Sequence, residues 1–330
     1  MADTEVMTSI EQDRYVRWGS CNIIYDAKHT ASGTLMADSI LHGDIVVPSD
    51  MYIILAIYYS GVATIKQIST ILSAMSVRDP EKHIPHSAPG GTNDAIAVRI
   101  RALIGAGAIY KILLTDKENP DRYSYYYSAS YMGIKFARIH LELAQKLLCT
   151  PESSVFTRRE IIRRQTVAAF TAKVLQYAIS TGFSRDKRLI YLKNNKRQIV
   201  STPYMWLKTK NTAIEREIFV LPIIFTPDPT VYNEDEEIIG RKKLYQYITD
   251  LYDYSINTGR KTGAVLIVDN GEDLGRLLKE VRDYCYENGL QQYVPNIMIT
   301  SLGIVEKANF ETTLISLETG RVASREQSFF

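Results

Sequence analysis

The stretch AIAVRIRALIGAGAIYKILLTDKENPDRYSYYYSA, Ala95 to Ala129, decides how this chain is read. Its first half carries Ile96, Ile100, Leu103 and Ile104 at helical spacing, so one face packs inward while Arg99 flanks that apolar stripe. Asn93, Ala97 and Arg101 share a different face, and Gly105 and Gly107 end the helix. AIYKILL and RYSYYYSA then bracket the polar tip TDKENPD, and their β-branched and aromatic content predicts a hairpin.

Upstream, PSDMYIILAIYYSG predicts a helix from Pro48 that Ser49 or Asp50 caps and Gly61 ends. ATIKQISTILSAM predicts a second, with Thr64 as its cap and Ile65, Ile68, Ile71 and Leu72 on one face. Two short helices around a glycine turn form a helix-turn-helix. SVRDPEKHIPHSAPGG is a loop, and His83 and His86, without further ligands nearby, belong to it rather than to a metal site. A third helix starting near Thr92 or Asn93 and running into a hairpin completes a winged helix, whose third helix enters the major groove while the hairpin lies over the backbone.

That arrangement assigns roles. Asn93, Arg101 and Arg99 are the candidates for base edges, because Arg pairs with guanine and Asn with adenine. Lys66 and Gln67 at the start of the second helix, Lys111 in the wing, and Lys117 and Arg122 at its tip are candidates for phosphates. Arg158, Arg159, Arg163 and Arg164 in RREIIRR form either a second phosphate-tracking face or an ordinary exposed helix face. Strand alternation puts Tyr123, Tyr125 and Tyr127 on one side and Tyr126 on the other, which favours packing over base stacking or nucleophilic use.

A chain of 330 residues suits two or three compact units. Its 45% hydrophobic and 23% charged content are those of a soluble globular protein. Met51 to Ala63 is the longest apolar run and is too short for a membrane span. The start of the chain lacks the order of a secretory signal, so a cytoplasmic location and no membrane partner are expected. Cys21, Cys149 and Cys285 are scattered, which argues against zinc and against a disulfide framework. The net charge of +2 hides an asymmetry: residues 157–210 hold 13 Lys or Arg against two acids, whereas residues 227–254 hold seven acids against three bases.

Beyond the hairpin, YMGIKFARIHLELAQKLL and TRREIIRRQTVAAFTAKVLQYAIS predict helices. RLIYL, RQIVS and REIFVLPIIF predict strands, the last disturbed by Pro222. EEIIGRKKLYQYITDLYDYSI is helical. GAVLIVDN, GEDLGRLLKEVRDYCYENG and PNIMITS then give a βαβ unit with parallel strands, and ETTLISLE gives a further strand. The expected fold is α+β with an α/β part. Residues 1–47 form an N-terminal extension of weak strand character, 48–150 a winged helix-turn-helix, 151–182 a basic connecting helix, 183–316 an α/β domain and 317–330 a loose tail.

Catalytic templates fit poorly. AVLIVDN is not preceded by G-x-x-x-x-G-K-[ST], and no local pattern pairs a Ser or Cys nucleophile with His. A metal-dependent nuclease has Asp228 and Asp269 to offer, but Asn270 and Gly271 follow where an acid-x-Lys element belongs.

The motifs GVATIKQI, RIRALIGAGAI and YYYSASYMGI, in that order, resemble the winged-helix half of the replication-relaxation family of Gram-positive plasmids and integrative elements. Ser128 and Ala129 stand where that family has Leu-Thr. The resemblance spans Pro48 to Gly182. The family's second half is a nuclease-fold domain, to which VLIVDNGEDLGRLLKEVRDY is similar in outline without the acid-x-Lys element, hence a degenerate nuclease-like domain. The resemblance implies binding near an origin of replication or transfer, with a relaxase or replication initiator as partner.

The expectation is a non-catalytic, sequence-selective double-stranded DNA-binding protein of a mobile element, without cofactor or metal, acting as a homodimer on a repeated site. The alternatives are a divalent-metal nuclease and an effector-responsive winged-helix transcription regulator.

Overall fold

The computed structural model describes residues 21–25, 46–78, 80–82, 84, 94–116, 123–140, 158–177, 180–184, 187–202, 205–211, 214–223, 234–268, 271–307 and 314–323. They form a mixed α+β structure in two compact units, the first ending at Gln176 and the second beginning at Tyr177.

The first unit is built around helix α1 (Asp50–Ser60), whose residues Met51, Ile53 to Tyr58 and Ser60 are all buried. A helix apolar all round must be covered all round. The coverage comes from α2 (Ile65–Arg78), α3 (Asp94–Gly105), β3 (Tyr123–Ala129) and α4 (Tyr131–His140). Gly61 ends α1 at φ +79°, and its amide donates to the Ile57 carbonyl. Ser49, expected as the N-cap, instead has helical backbone angles and makes no side-chain cap bond. Asp50, the alternative cap, does not hold a free amide of the helix either: its Oδ2 accepts the Val47 amide, upstream of the helix, at 2.9 Å. Helix α2 opens on a reciprocal capping box: the Gln67 amide donates to Thr64 Oγ1, and the Thr64 amide donates to Gln67 Oε1 at 2.9 Å.

Helix α3 turns through Gly107 into β2 (Ile109–Asp116), which pairs antiparallel with β3. Two additions extend this hairpin. Strand β1 (Cys21–Tyr25), from the extension read as weakly strand-like, runs antiparallel to the outer edge of β2. Ala63, between α1 and α2, forms an antiparallel bridge with Tyr127 through both backbone groups. Ser130 caps α4: its hydroxyl donates to the Gly107 carbonyl at 2.7 Å and accepts from the Gly133 amide. Gly133 permits that approach, since a Cβ there would sit 2.2 Å from the Ala108 carbonyl oxygen. Helix α5 (Arg158–Tyr177) is buried along Ile161, Ile162 and Gln165 to Ala172.

The second unit holds a six-stranded sheet. Strands β4 (Ser180–Ser184), β7 (Met205–Asn211) and β8 (Ile214–Ile223) form an antiparallel meander, and β9 (Thr262–Val268) and β10 (Ile297–Ser301) continue it in parallel. The two-residue strand β11 (Ile315–Ser316) closes the far edge; of the strand expected at ETTLISLE only this pair is β structure among the described residues. β4 and β7 have no counterpart in the pattern-based reading. Between them β5 (Lys187–Lys193) and β6 (Lys196–Thr202) form a separate hairpin. Helix α6 (Glu234–Thr258) links β8 to β9, and helix α7 (Leu274–Glu287) links β9 to β10, which yields the parallel order of a βαβ unit. A short helix, α8 (Leu302–Lys307), follows β10.

The core of this unit joins Phe219, Leu221 and Leu266 to Ile248 and Leu251 of α6 and Leu277 and Val281 of α7. β9 is buried at every position, as the strand between two parallel neighbours has to be. Pro222 does not interrupt β8: β7 reaches only Val220, so Pro222 is paired with Ile267 of β9 alone.

Candidate nucleic-acid interface

The residues expected to touch DNA divide sharply by what they already hold. Arg99, on the inner flank of α3, makes a bidentate pair with Asp50: its Nε donates to Oδ1 at 2.9 Å and its Nη2 donates to Oδ2. Asp50 is 1% exposed and Arg99 32% exposed, so the pair closes the start of α1 against α3. Its carboxylate also holds the Val47 amide, and that geometry makes Arg99 a structural cation. The lone acid in the apolar run DMYIILAIYYS was the available signal, because a buried carboxylate requires a partner.

Gln67 is likewise engaged, with its side-chain oxygen fixed on the Thr64 amide. Lys66 beside it is exposed. Lys111 places its ammonium 3.6 Å from the centre of the Tyr125 ring, a cation–π contact on the β2–β3 ribbon. Tyr126 and Tyr127 are buried, so they serve packing. Arg163 and Arg164 are half-buried, and the methylenes of Arg164 lie across Gly61, where a Cβ would come within 2.5 Å of Cδ. Asn93, Lys117 and Arg122 lie outside the described residues, as do the side chains of Arg158 and Arg159.

The exposed face of α3 is narrow. Ile96, Ile100 and Leu103 face inward, while Ala95, Val98, Arg101 and Gly105 are exposed. Val98 and Arg101 are one turn apart and therefore neighbours on that face. Val98, 55% exposed, escaped the sequence reading because it looks like one more core residue. In a major groove this pair offers an aliphatic group for a thymine methyl and a guanidinium for guanine.

The second unit holds a different polar cluster. Glu217 of β8 is buried and accepts from Tyr254 Oη at 3.0 Å and Arg260 Nη1 at 2.7 Å. Burial, with the Glu217 carboxylate beside it, pushes the Tyr254 phenol up to about 12. Burial alone pushes the Cys285 thiol up to about 11, which makes it a poor nucleophile at neutral pH. Asp228, Asp269, His83 and His86 lie outside the described residues, and among the described residues no group of three His, Cys, Asp or Glu is arranged to hold a metal. Nor, among them, is any helix long and apolar enough to cross a membrane.

The chain matches no protein-family model, no curated protein and no solved structure.

Proposed function

We propose that the first unit is a winged helix that binds double-stranded DNA sequence-selectively, with α3 in the major groove and the β2–β3 ribbon over the backbone. The observation that carries the reading is the bridge between Ala63 and Tyr127. It adds a one-residue strand between α1 and α2, so the elements follow the order helix, strand, helix, helix, strand, strand that a winged helix requires. Supporting it are the exposed Arg101 and Val98 on α3 and the exposed Lys66 at the start of α2. The second unit then serves as a degenerate nuclease-like scaffold. By the resemblance of GVATIKQI and RIRALIGAGAI to the replication-relaxation family, the target is an origin of replication or transfer on a mobile element. A relaxase or initiator is the partner, and a homodimer in the cytoplasm is the working form.

Selection from a random-sequence duplex pool, followed by fluorescence anisotropy on the winning and scrambled duplexes over a salt series, tests this. Arg101→Ala is expected to lose about 1 to 3 kcal/mol on the selected duplex and to relax one base position. Lys66→Ala is expected to weaken both duplexes alike and to flatten the salt dependence by about one ion. Equal binding of selected and scrambled duplexes at every salt concentration rules out the sequence-selective reading.

A further inference from the structure

The hairpin β5–β6 presents a surface that its own unit leaves without a use. Its inner face is ordinary: Leu189, Tyr191 and Val200 are buried in the core of the second unit, where the hairpin lies on α6, and Lys193 is ion-paired with Asp253 of α6. The outer face carries Ile190, Leu192 and Ile199, exposed by 51%, 63% and 54%. Ile190 stands directly opposite Ile199 and Leu192 opposite Arg197, so the three aliphatic side chains form one patch.

The hairpin's own charges have one sign, although Lys193 is already paired with Asp253. Residues 187–202 include five Lys or Arg and no Asp or Glu. The turn residues Asn194 and Asn195 have φ of 52° and 60°, a tight connection, and both are exposed together with Lys196 and Arg197. Among the described residues no other strand pairs with either edge of the hairpin.

An exposed aliphatic patch marks a binding surface, and the charge selects the occupant. Edge-to-edge pairing with a second copy would bring together two sets of the exposed cations Lys196 and Arg197, which like-charge repulsion opposes. A polyanion removes that repulsion. The minor groove of duplex DNA also has use for the rest: its sugar walls are apolar, its floor accepts hydrogen bonds from amides, and its rims are phosphates.

We propose that the outer face of β5–β6 is a second DNA contact, laid against the minor groove. Ile190, Leu192 and Ile199 meet sugars and base edges, Asn194 and Asn195 at the turn reach acceptors on the groove floor, Arg197 beside the patch holds a phosphate, and Lys196, exposed at the turn, reaches another. The inference rests on the DNA-binding reading for its partner, but it uses another unit and another groove. Two consequences follow from the groove: a preference for A·T-rich duplex, because guanine's amino group obstructs the floor, and bending, because aliphatic side chains pressed against base steps unstack them.

The full chain is titrated onto A·T-rich and G·C-rich duplexes labelled at both ends, reading anisotropy for affinity and energy transfer for bending. The triple variant Ile190→Ser, Leu192→Ser, Ile199→Ser is expected to abolish the bend and the A·T preference with about a tenfold loss of affinity. Lys196→Glu with Arg197→Glu is expected to lower the salt slope by about two ions. Netropsin, which fills A·T minor grooves, is expected to remove the bend in the wild type. Leu192→Ser alone, with circular dichroism as a folding check, stands in if the triple variant fails to fold. Persistence of bending and of the A·T preference in the hairpin variants overturns the inference. So does a change in molar mass by light scattering with DNA behaviour intact, which would reassign the patch to a protein partner. Arg101→Glu separates the two readings: if it loses sequence selection while the hairpin variants change nothing, only the minor-groove contact fails. If bending survives Arg101→Glu and sequence selection never existed, only the winged-helix reading fails.

Discussion

The ribbon β2–β3 of the first unit and the hairpin β5–β6 of the second are both antiparallel strand pairs with consecutive apolar residues, yet they dispose of their surfaces in opposite ways. In the first, Ile112 and Tyr126 sit opposite each other in the core, Tyr127 is also buried, and both edges are taken, by β1 on one side and by Ala63 on the other. In the second, one face is buried, the opposite face holds three exposed aliphatic residues, and no strand among the described residues joins an edge. The exposure of a strand residue is set by what covers its face and edge, and alternation alone does not contain that information.

Changes beneath the covered ribbon carry the largest expected effects. Gly133→Ala drives a methyl group into the Ala108 carbonyl at the junction where α4 meets the start of β2, and we expect a loss of about 3 kcal/mol or more in urea denaturation. A loss under about 1 kcal/mol would mean that α4 does not pack as closely as described. Next in size is Asp50→Ala, which strands Arg99 and the Val47 amide. The expected loss is about 2 to 3 kcal/mol, less than for a fully buried pair because Arg99 is partly in water. Adding Arg99→Leu should recover part of it, and strict additivity in this double-mutant cycle would show that the two groups do not interact.

The second unit should yield to alkali. Tyr254 and Cys285 are both held above their ordinary values, to about 12 and about 11, so the folded form keeps their protons longer than the unfolded chain does. Their contribution to stability is therefore complete below about pH 9, where the unfolded thiol begins to ionise, and is lost as pH rises through the folded values. Far-ultraviolet circular dichroism should show the loss, and Cys285→Val should move its onset upward; an unchanged onset would remove the thiol from the account. The smallest effect belongs to the open hairpin. Leu192→Ser should change stability by no more than about 0.5 kcal/mol, and a larger loss would show that its face is already covered.

Much of the architecture was written in local pattern. The Thr64-x-x-Gln67 cap, the glycine at position 61, the inward stripe of Ile96, Ile100 and Leu103, and the apolar run at β9 each rest on neighbours in sequence, whose spacing the chain states directly. β4 and β7 were missed because STGFS and MWLKTKN hold too few apolar residues to announce a strand; the sheet recruits them by backbone pairing. The candidate site was less legible than the fold. Arg99 and Arg101 are two residues apart and chemically identical, but one faces the Asp50 carboxylate 49 positions away and the other faces outward.

The sequence by itself determined the succession of helices and strands, the parallel βαβ unit and the uneven distribution of charge, since these follow from periodicity, turn chemistry and composition within short windows. Tertiary structure alone decided which cations are consumed as internal partners, that Val98 of α3 stands outward, and that the aliphatic face of β5–β6 stays uncovered. Those outcomes depend on which distant segments arrive to cover a surface, and no local pattern specifies that.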